Sequence, residues 1–131
     1  MPTTATINGR VFKSSWFSKA AKKAHIADNE LCTAIRQVML GQADDLGGGV
    51  FKKRLNDNMH RSIILAKTGI SGKAGNLWVF EYVFAKKDRD NIDHDELVQF
   101  RALAKSYATL HTKQIEQLIE DKHLREICHG N

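Results

Sequence analysis

The run Leu77-Trp78-Val79-Phe80-Glu81-Tyr82-Val83-Phe84-Ala85 is apolar at nearly every position. Side chains of a strand alternate between its two faces, so a strand with this sequence has almost no polar face to turn to water. It must lie at the centre of a sheet rather than at an edge. Its partners precede it. Val50 to Leu55 and Arg61 to Lys67 both read as strands, separated by the turn cluster Asn56-Asp57-Asn58, and the Gly-rich segment Thr68 to Asn76 reads as the hairpin loop into the central strand.

The first half of the chain supplies helices. Ile7 to Lys13 suits a short first strand, and Ser14 or Ser15 can cap a helix with an apolar stripe of Phe17, Ala20, Ala21 and Ala24. A second helix begins at Asp28, buries Leu31, Ala34, Ile35, Val38 and Met39 at helical spacing, and is stopped by Gly41. Two helices this close form a hairpin whose apolar face needs a sheet. Gln42 to Gly49, with its triple glycine, reads as a flexible loop, and no Gly-Lys-Ser/Thr closes it as a phosphate-binding loop. Asp93 and Glu96 stand as N-cap and N3 ahead of Leu97, Phe100, Leu103, Ala104 and Tyr107. A last helix is expected over 112–127. The fold class is α+β: a small antiparallel sheet backed by an N-terminal helix pair, with C-terminal helices, in one domain spanning 1–131.

Mean hydropathy of −0.40 and the lack of any long apolar window argue against a membrane protein. No apolar stretch follows Met1, so no signal peptide is expected. Cys32 and Cys128 stand far apart outside any CxxC pattern, which favours reduced thiols and a cytoplasmic setting, with Cys128 inert near the terminus. The histidines at 25, 94, 111, 123 and 129 have no ligand spacing, so neither metal nor cofactor is expected.

The net charge of +5 is unevenly spread. Residues 1–27 carry Arg10, Lys13, Lys19, Lys22 and Lys23 without an acid, whereas Asp88, Asp90, Asp93, Asp95 and Glu96 crowd one segment. Such a chain suits a polyanionic partner, or else has a solvated basic first helix. Within Phe51 to Leu55, alternation turns Phe51, Lys53 and Leu55 one way, towards the core under the helix pair, and Lys52 and Arg54 the other, onto an open face. Arg61 joins them from the next strand and Lys87 from the end of the central one. Cations sharing a sheet face either hold a phosphate and neutralise the charge that builds on it, or act as ordinary solubilising charges.

Phe51-Lys52-Lys53-Arg54-Leu55, then Arg61-Ser62-Ile63-Ile64-Leu65, then Phe84-Ala85-Lys86-Lys87-Asp88-Arg89-Asp90-Asn91-Ile92 resemble, in order, the RelE/ParE toxin superfamily of bacterial type II toxin–antitoxin systems. The resemblance is to its HigB-like branch and runs from about residue 10 to 107. It implies a ribosome-dependent mRNA endonuclease, in which the ribose 2′-hydroxyl attacks the adjacent phosphate without a metal. Lys52 or Arg54 would activate the hydroxyl, Arg61 would stabilise the phosphorane, and Lys87 would assist the leaving 5′-oxygen. A lysine acting as base would need its pKa lowered by neighbouring charge, which Lys53 and Arg54 can supply. Lys53, Lys86, Arg89, Lys19, Lys22 and Lys23 would bind RNA or the ribosome. The implied partners are an antitoxin of helix-turn-helix type, the ribosome and mRNA, with operator DNA reached only through the antitoxin and no membrane. Where several RNase members place a tyrosine, this chain has Asn91-Ile92-Asp93, and His60 precedes Arg61 in place of a tyrosine. Trp16, Trp78 and Phe80 read as core, with base stacking open to any that is exposed. Two other functions of this fold stay open: a gyrase inhibitor without a nuclease site, and an inactive binding module acting with its antitoxin at DNA.

Overall fold

The structure, a computed structural model, describes residues 9–68 and 74–129. Among these, β1 (Arg10–Ser14) leads into α1 (Ser15–Lys23) and α2 (Asp28–Met39). Then come β2 (Asp44–Gly47), β3 (Val50–Leu55), β4 (His60–Thr68) and β5 (Ala74–Ala85), and finally α3 (His94–Ala108), α4 (Thr112–Glu120) and β6 (Leu124–Ile127). The strands form one sheet in the order β2-β3-β4-β5-β1-β6, which puts β5 at the centre as its sequence demands. The sheet is mixed rather than purely antiparallel. The hairpins joining β3, β4 and β5 fix the direction of β5, and β1, arriving from the other end of the chain, lies parallel to it. Ile7 and the tip of the expected hairpin loop, 69–73, lie outside the described residues.

Helix boundaries follow local chemistry. The Ser14 hydroxyl accepts the Phe17 N–H at 3.1 Å, an N-cap bond. Past α2, Gly41 takes the left-handed conformation at φ 83, which lets the Gln42 N–H reach back to the Gln37 carbonyl at 2.8 Å. The Asp93–Glu96 capping box of α3 is formed in both directions.

Each face of the sheet carries a helix pair. On one side α1 and α2 bury Phe17, Leu31 and Ile35 against Ile64, Trp78 and Phe80. On the other, α3 and α4 bury Ala104 and Ile115 against Phe12, Ile63, Leu65 and Val79. The face expected to be open is therefore covered along much of its length, because Val50, Ile63, Leu65 and Val79 make it too apolar to leave in water. On that face Arg54 is exposed, Lys52 half-buried and Arg61 buried.

Three further expectations are corrected. The loop over 42–49 contains β2, which pairs with β3 as far as Gly47 opposite Val50, with Gly47, Gly48 and Gly49 at positive φ where the chain turns. At Gly49 a Cβ would come within 2.6 Å of the Ala66 carbonyl oxygen, so the turn packs too closely for any side chain. The helix expected over 112–127 stops at Glu120, and Leu124–Ile127 pair antiparallel with β1 as an edge strand. Leu124 and Ile127, three apart, share a face in a helix but lie on opposite faces of a strand. Each fills a different core, Leu124 under α4 and Ile127 under α2. That strand carries Cys128 to Cys32 of α2, and the two form a disulfide. The sequence argument for reduced thiols and an inert Cys128 fails here, because the pairing depends on β6 and cannot be read from a separation of 96 residues. No helix among the described residues is long and apolar enough to cross a membrane.

Candidate functional site

Arg61 anchors the site. In the strand register it stands directly opposite Arg54 on β3 and Phe84 on β5, while one row further along Ile63 stands between Lys52 and Tyr82. Lys52, Arg54 and Arg61 therefore share the α3 side of the sheet, as the alternation of β3 required. Arg61 is only 9% exposed. Its Nη1 donates to the Asn58 carbonyl at 2.9 Å and to the His60 carbonyl at 3.1 Å. Those carbonyls belong to a tight turn in which Asn56, Asp57 and Asn58 are all left-handed, at φ 55, 52 and 72. Asn and Asp are the non-glycine residues that best tolerate this region, so the turn cluster has a definite purpose. Glu30 of α2 fixes the turn by accepting the Asn56 N–H at 2.5 Å. No carboxylate among the described residues is in ion-pair range of Arg61 or of the exposed Arg54.

Lys52 is placed differently. Its Nζ is 3.7 Å from Asp44 Oδ2 on the edge strand and donates to Asn91 Oδ1 at 3.4 Å. Lys53 points to the opposite face, and an edge groove beside Gly41, Gln42 and Ala43 is lined by Lys52, Lys53 and Arg54 alike. The Lys53 pKa is lowered by burial and, secondarily, by the charge of Arg54. Lys86 and Lys87 are exposed in the turn after β5 and line a groove with Ala20 and Lys23 of α1 and with Met59 and His60. Lys87 is thus brought to the end of the sheet but not onto the face that carries Arg61.

Arg89 is engaged as a clamp. It pairs with Glu96, Nη2 to Oε1 at 2.5 Å and Nη1 to Oε2 at 3.1 Å, and also donates to the Tyr82 hydroxyl at 3.2 Å and the Asn91 carbonyl at 2.9 Å. Its guanidinium lies over the Phe84 ring, 5.5 Å from the centroid. The Arg89 contact holds the Glu96 carboxyl below its ordinary range. In the N-terminal region, Lys13 pairs with Asp28 at 2.6 Å, and Arg10 with Glu126 at 2.8 Å and Glu116 at 3.0 Å. Lys19, Lys22 and Lys23 remain exposed along α1.

Sequence reasoning missed a β-bulge. Ile63 pairs with Tyr82 but Ile64 with Phe80, so Glu81 is the extra residue. The bulge turns Tyr82 and Phe84 onto the cation face and lets Glu81 reach Tyr107 of α3, whose hydroxyl donates to Glu81 Oε2 at 3.3 Å. Burial raises the Glu81 pKa against the opposing effect of that hydrogen bond, and burial beside Glu81 raises that of Tyr107. The odd Glu81 in an apolar run was the available signal; its displacement is a matter of register. Among the described residues, no three His, Cys, Asp or Glu side chains are grouped to hold a metal.

The register thus sets a buried guanidinium beside an exposed one with a lysine a row away, an arrangement of the kind that can accept an anion. A search of curated proteins finds no match for the chain. The family model for the RelE toxin of the RelE / RelB toxin–antitoxin system matches residues 9–127. It extends past residue 107, where the resemblance in the sequence ends, and takes in α4 and β6. Such a toxin has an antitoxin as its partner. From β1 to the end of β6, this chain belongs to the RelE toxin family.

Proposed function

We propose that this toxin is an endoribonuclease that cuts mRNA on the ribosome, in the cytoplasm, and so arrests translation. One observation carries the reading: Arg61, nine-tenths buried, faces Arg54 across the ladder with no carboxylate in range among the described residues. Directly opposed side chains have Cβ atoms about 4.5–5.5 Å apart, and like charges there destabilise a sheet. Burying a cation costs several kcal/mol unless an anion offsets it. A phosphodiester supplies that anion, and the extra negative charge of a phosphorane supplies more.

In this chemistry the ribose 2′-oxygen bonds to phosphorus as the bond from phosphorus to the 5′-oxygen breaks, leaving a 2′,3′-cyclic phosphate. The 2′-hydroxyl proton passes to solvent. Lys52 and Arg54 favour the 2′-oxygen as its charge develops. Arg61 binds the phosphorane. Lys87 protonates the leaving 5′-oxygen for RNA that passes over the sheet end at Met59 and His60. Lys19, Lys22, Lys23 and Lys86 offer exposed charge to ribosomal RNA, or to a helix-turn-helix antitoxin that links the toxin to operator DNA. The test is primer-extension mapping of cellular mRNA after brief induction, together with cleavage on programmed ribosomes. Cuts in phase with the reading frame are expected. Intact mRNA accompanied by gyrase-linked DNA breaks would assign the chain to gyrase inhibition instead.

A further inference from the structure

Trp16 is 51% exposed, an unusual position for the largest apolar side chain type. It stands in the first turn of α1 and stacks on Tyr82, ring centroids 5.0 Å apart and planes inclined by 27°. Tyr82 is itself immobilised. Phe84 and Phe100 each lie 5.9 Å away, and Arg89 donates to its hydroxyl at 3.2 Å. The indole thus has one side on a rigid support while half of the residue's surface is in water.

The platform is continuous with the cations. Tyr82 lies in the row of Ile63 and Lys52, next to the row of Phe84, Arg61 and Arg54. Tyr82 and Arg61 are therefore diagonal neighbours on adjacent strands, with Cα atoms about 7–8 Å apart. The exposed Trp16 indole stands one ring further from Arg61 than Tyr82 does, 5.0 Å from the Tyr82 ring, so a short single strand can set a base on the indole and a phosphate on the cation. We propose that Trp16, supported by Tyr82, is the stacking platform for a nucleobase of the RNA whose phosphate lies at Arg61. This deepens the nuclease reading and rests on it. Only single-stranded RNA can offer the base, since a duplex hides both of its faces. The stacking tolerates any base, so it sets the register of the strand rather than its sequence. The bulge at Glu81 builds the platform, because an unbulged β5 would turn Tyr82 to the α1 side.

The test uses the full chain and uncleavable 2′-O-methyl hexauridylate and hexaadenylate, whose blocked 2′-oxygens cannot attack. Binding is followed by anisotropy of labelled RNA and by tryptophan fluorescence. Trp78 is only 3% exposed, so RNA-dependent quenching reports on Trp16. Expected are saturable quenching by wild type and its loss in Trp16→Phe, which still binds within a few-fold of wild type. Trp16→Ala should bind roughly tenfold weaker or more, with circular dichroism showing the fold retained. RNA with one abasic position should lose as much on wild type, and nothing further on Trp16→Ala. Absent quenching at saturating RNA, or Trp16→Ala binding within twofold of wild type, overturns the proposal. So does quenching by the antitoxin but not by RNA, which would give this surface to the protein partner. Quenching by RNA with no mRNA cleavage on ribosomes would instead overturn the nuclease reading and leave the platform standing.

Discussion

Replacing Cys128 with serine tests the least expected covalent feature of the fold. The bond joins residues separated by 96 positions, closing most of the chain into one loop. Loop-closure entropy for that length amounts to about 4.7 kcal/mol at 25 °C, and native disulfides typically deliver 2–5 kcal/mol. For a chain of 131 residues, the unfolding entropy near the transition is about 0.28 kcal/mol/K, so a loss of 3–4.7 kcal/mol lowers Tm by roughly 11–17 °C. The loss falls mainly on β6, whose four residues bury Leu124 and Ile127 and which holds the sheet edge through β1 alone. The assay is thermal melting of wild type, Cys32→Ser, Cys128→Ser and the double variant, with and without reductant. All three variants should melt together, reductant should bring wild type down to them, and it should leave them unmoved. RNA cleavage at 25 °C should persist throughout, because Cys32 and Cys128 pack with the α1–α2 core while Lys52, Arg54 and Arg61 lie on the other side of the sheet. Two reactive thiols in the purified native protein, or a wild-type Tm indifferent to reductant, would refute the reasoning.

Arg61→Ala should reduce single-turnover cleavage on programmed ribosomes by about 10²-fold or more. Circular dichroism should show the fold retained, and undiminished cleavage would remove Arg61 from the site. Lys52→Ala should slow cleavage more than Lys53→Ala, because the two side chains lie on opposite faces; the reverse order would put the RNA on the Lys53 face of β3. Lys87→Ala should fall between wild type and Arg61→Ala, with Lys86 next to it as partial replacement. Glu81→Gln keeps an acceptor for the Tyr107 hydroxyl without a buried charge. The folded pKa of Glu81 is raised by burial, so the native state binds a proton more readily than the unfolded chain, and wild-type stability falls as pH rises through the range between the two values. The variant should melt higher than wild type at pH 7, and the gap should close near pH 4. A gap independent of pH would mean that Glu81 is not the group responsible.

The sequence by itself determined the elements whose signal is local. A serine cap for α1 at 14 or 15, Gly41 ending α2, the Asp93–Glu96 box and the turn at Asn56–Asn58 each depend on bonds within a few residues, and the structure selects Ser14 as the cap. The alternation of β3 likewise placed Lys52 and Arg54 together, since a strand without a bulge leaves no other arrangement. Only the tertiary structure could decide what depends on partners distant in the chain. Leu124 and Ile127 suit a helix or a strand equally, until the open edge of β1 offers hydrogen bonds. Cys32 meets Cys128 through that same strand. A single extra residue at Glu81 then reverses the facing of the rest of β5, and that reversal puts Tyr82 on the face of Arg61, where Trp16 stacks on it. The reason is physical: register is a property of two strands, and one strand's sequence carries no record of how its neighbour is aligned.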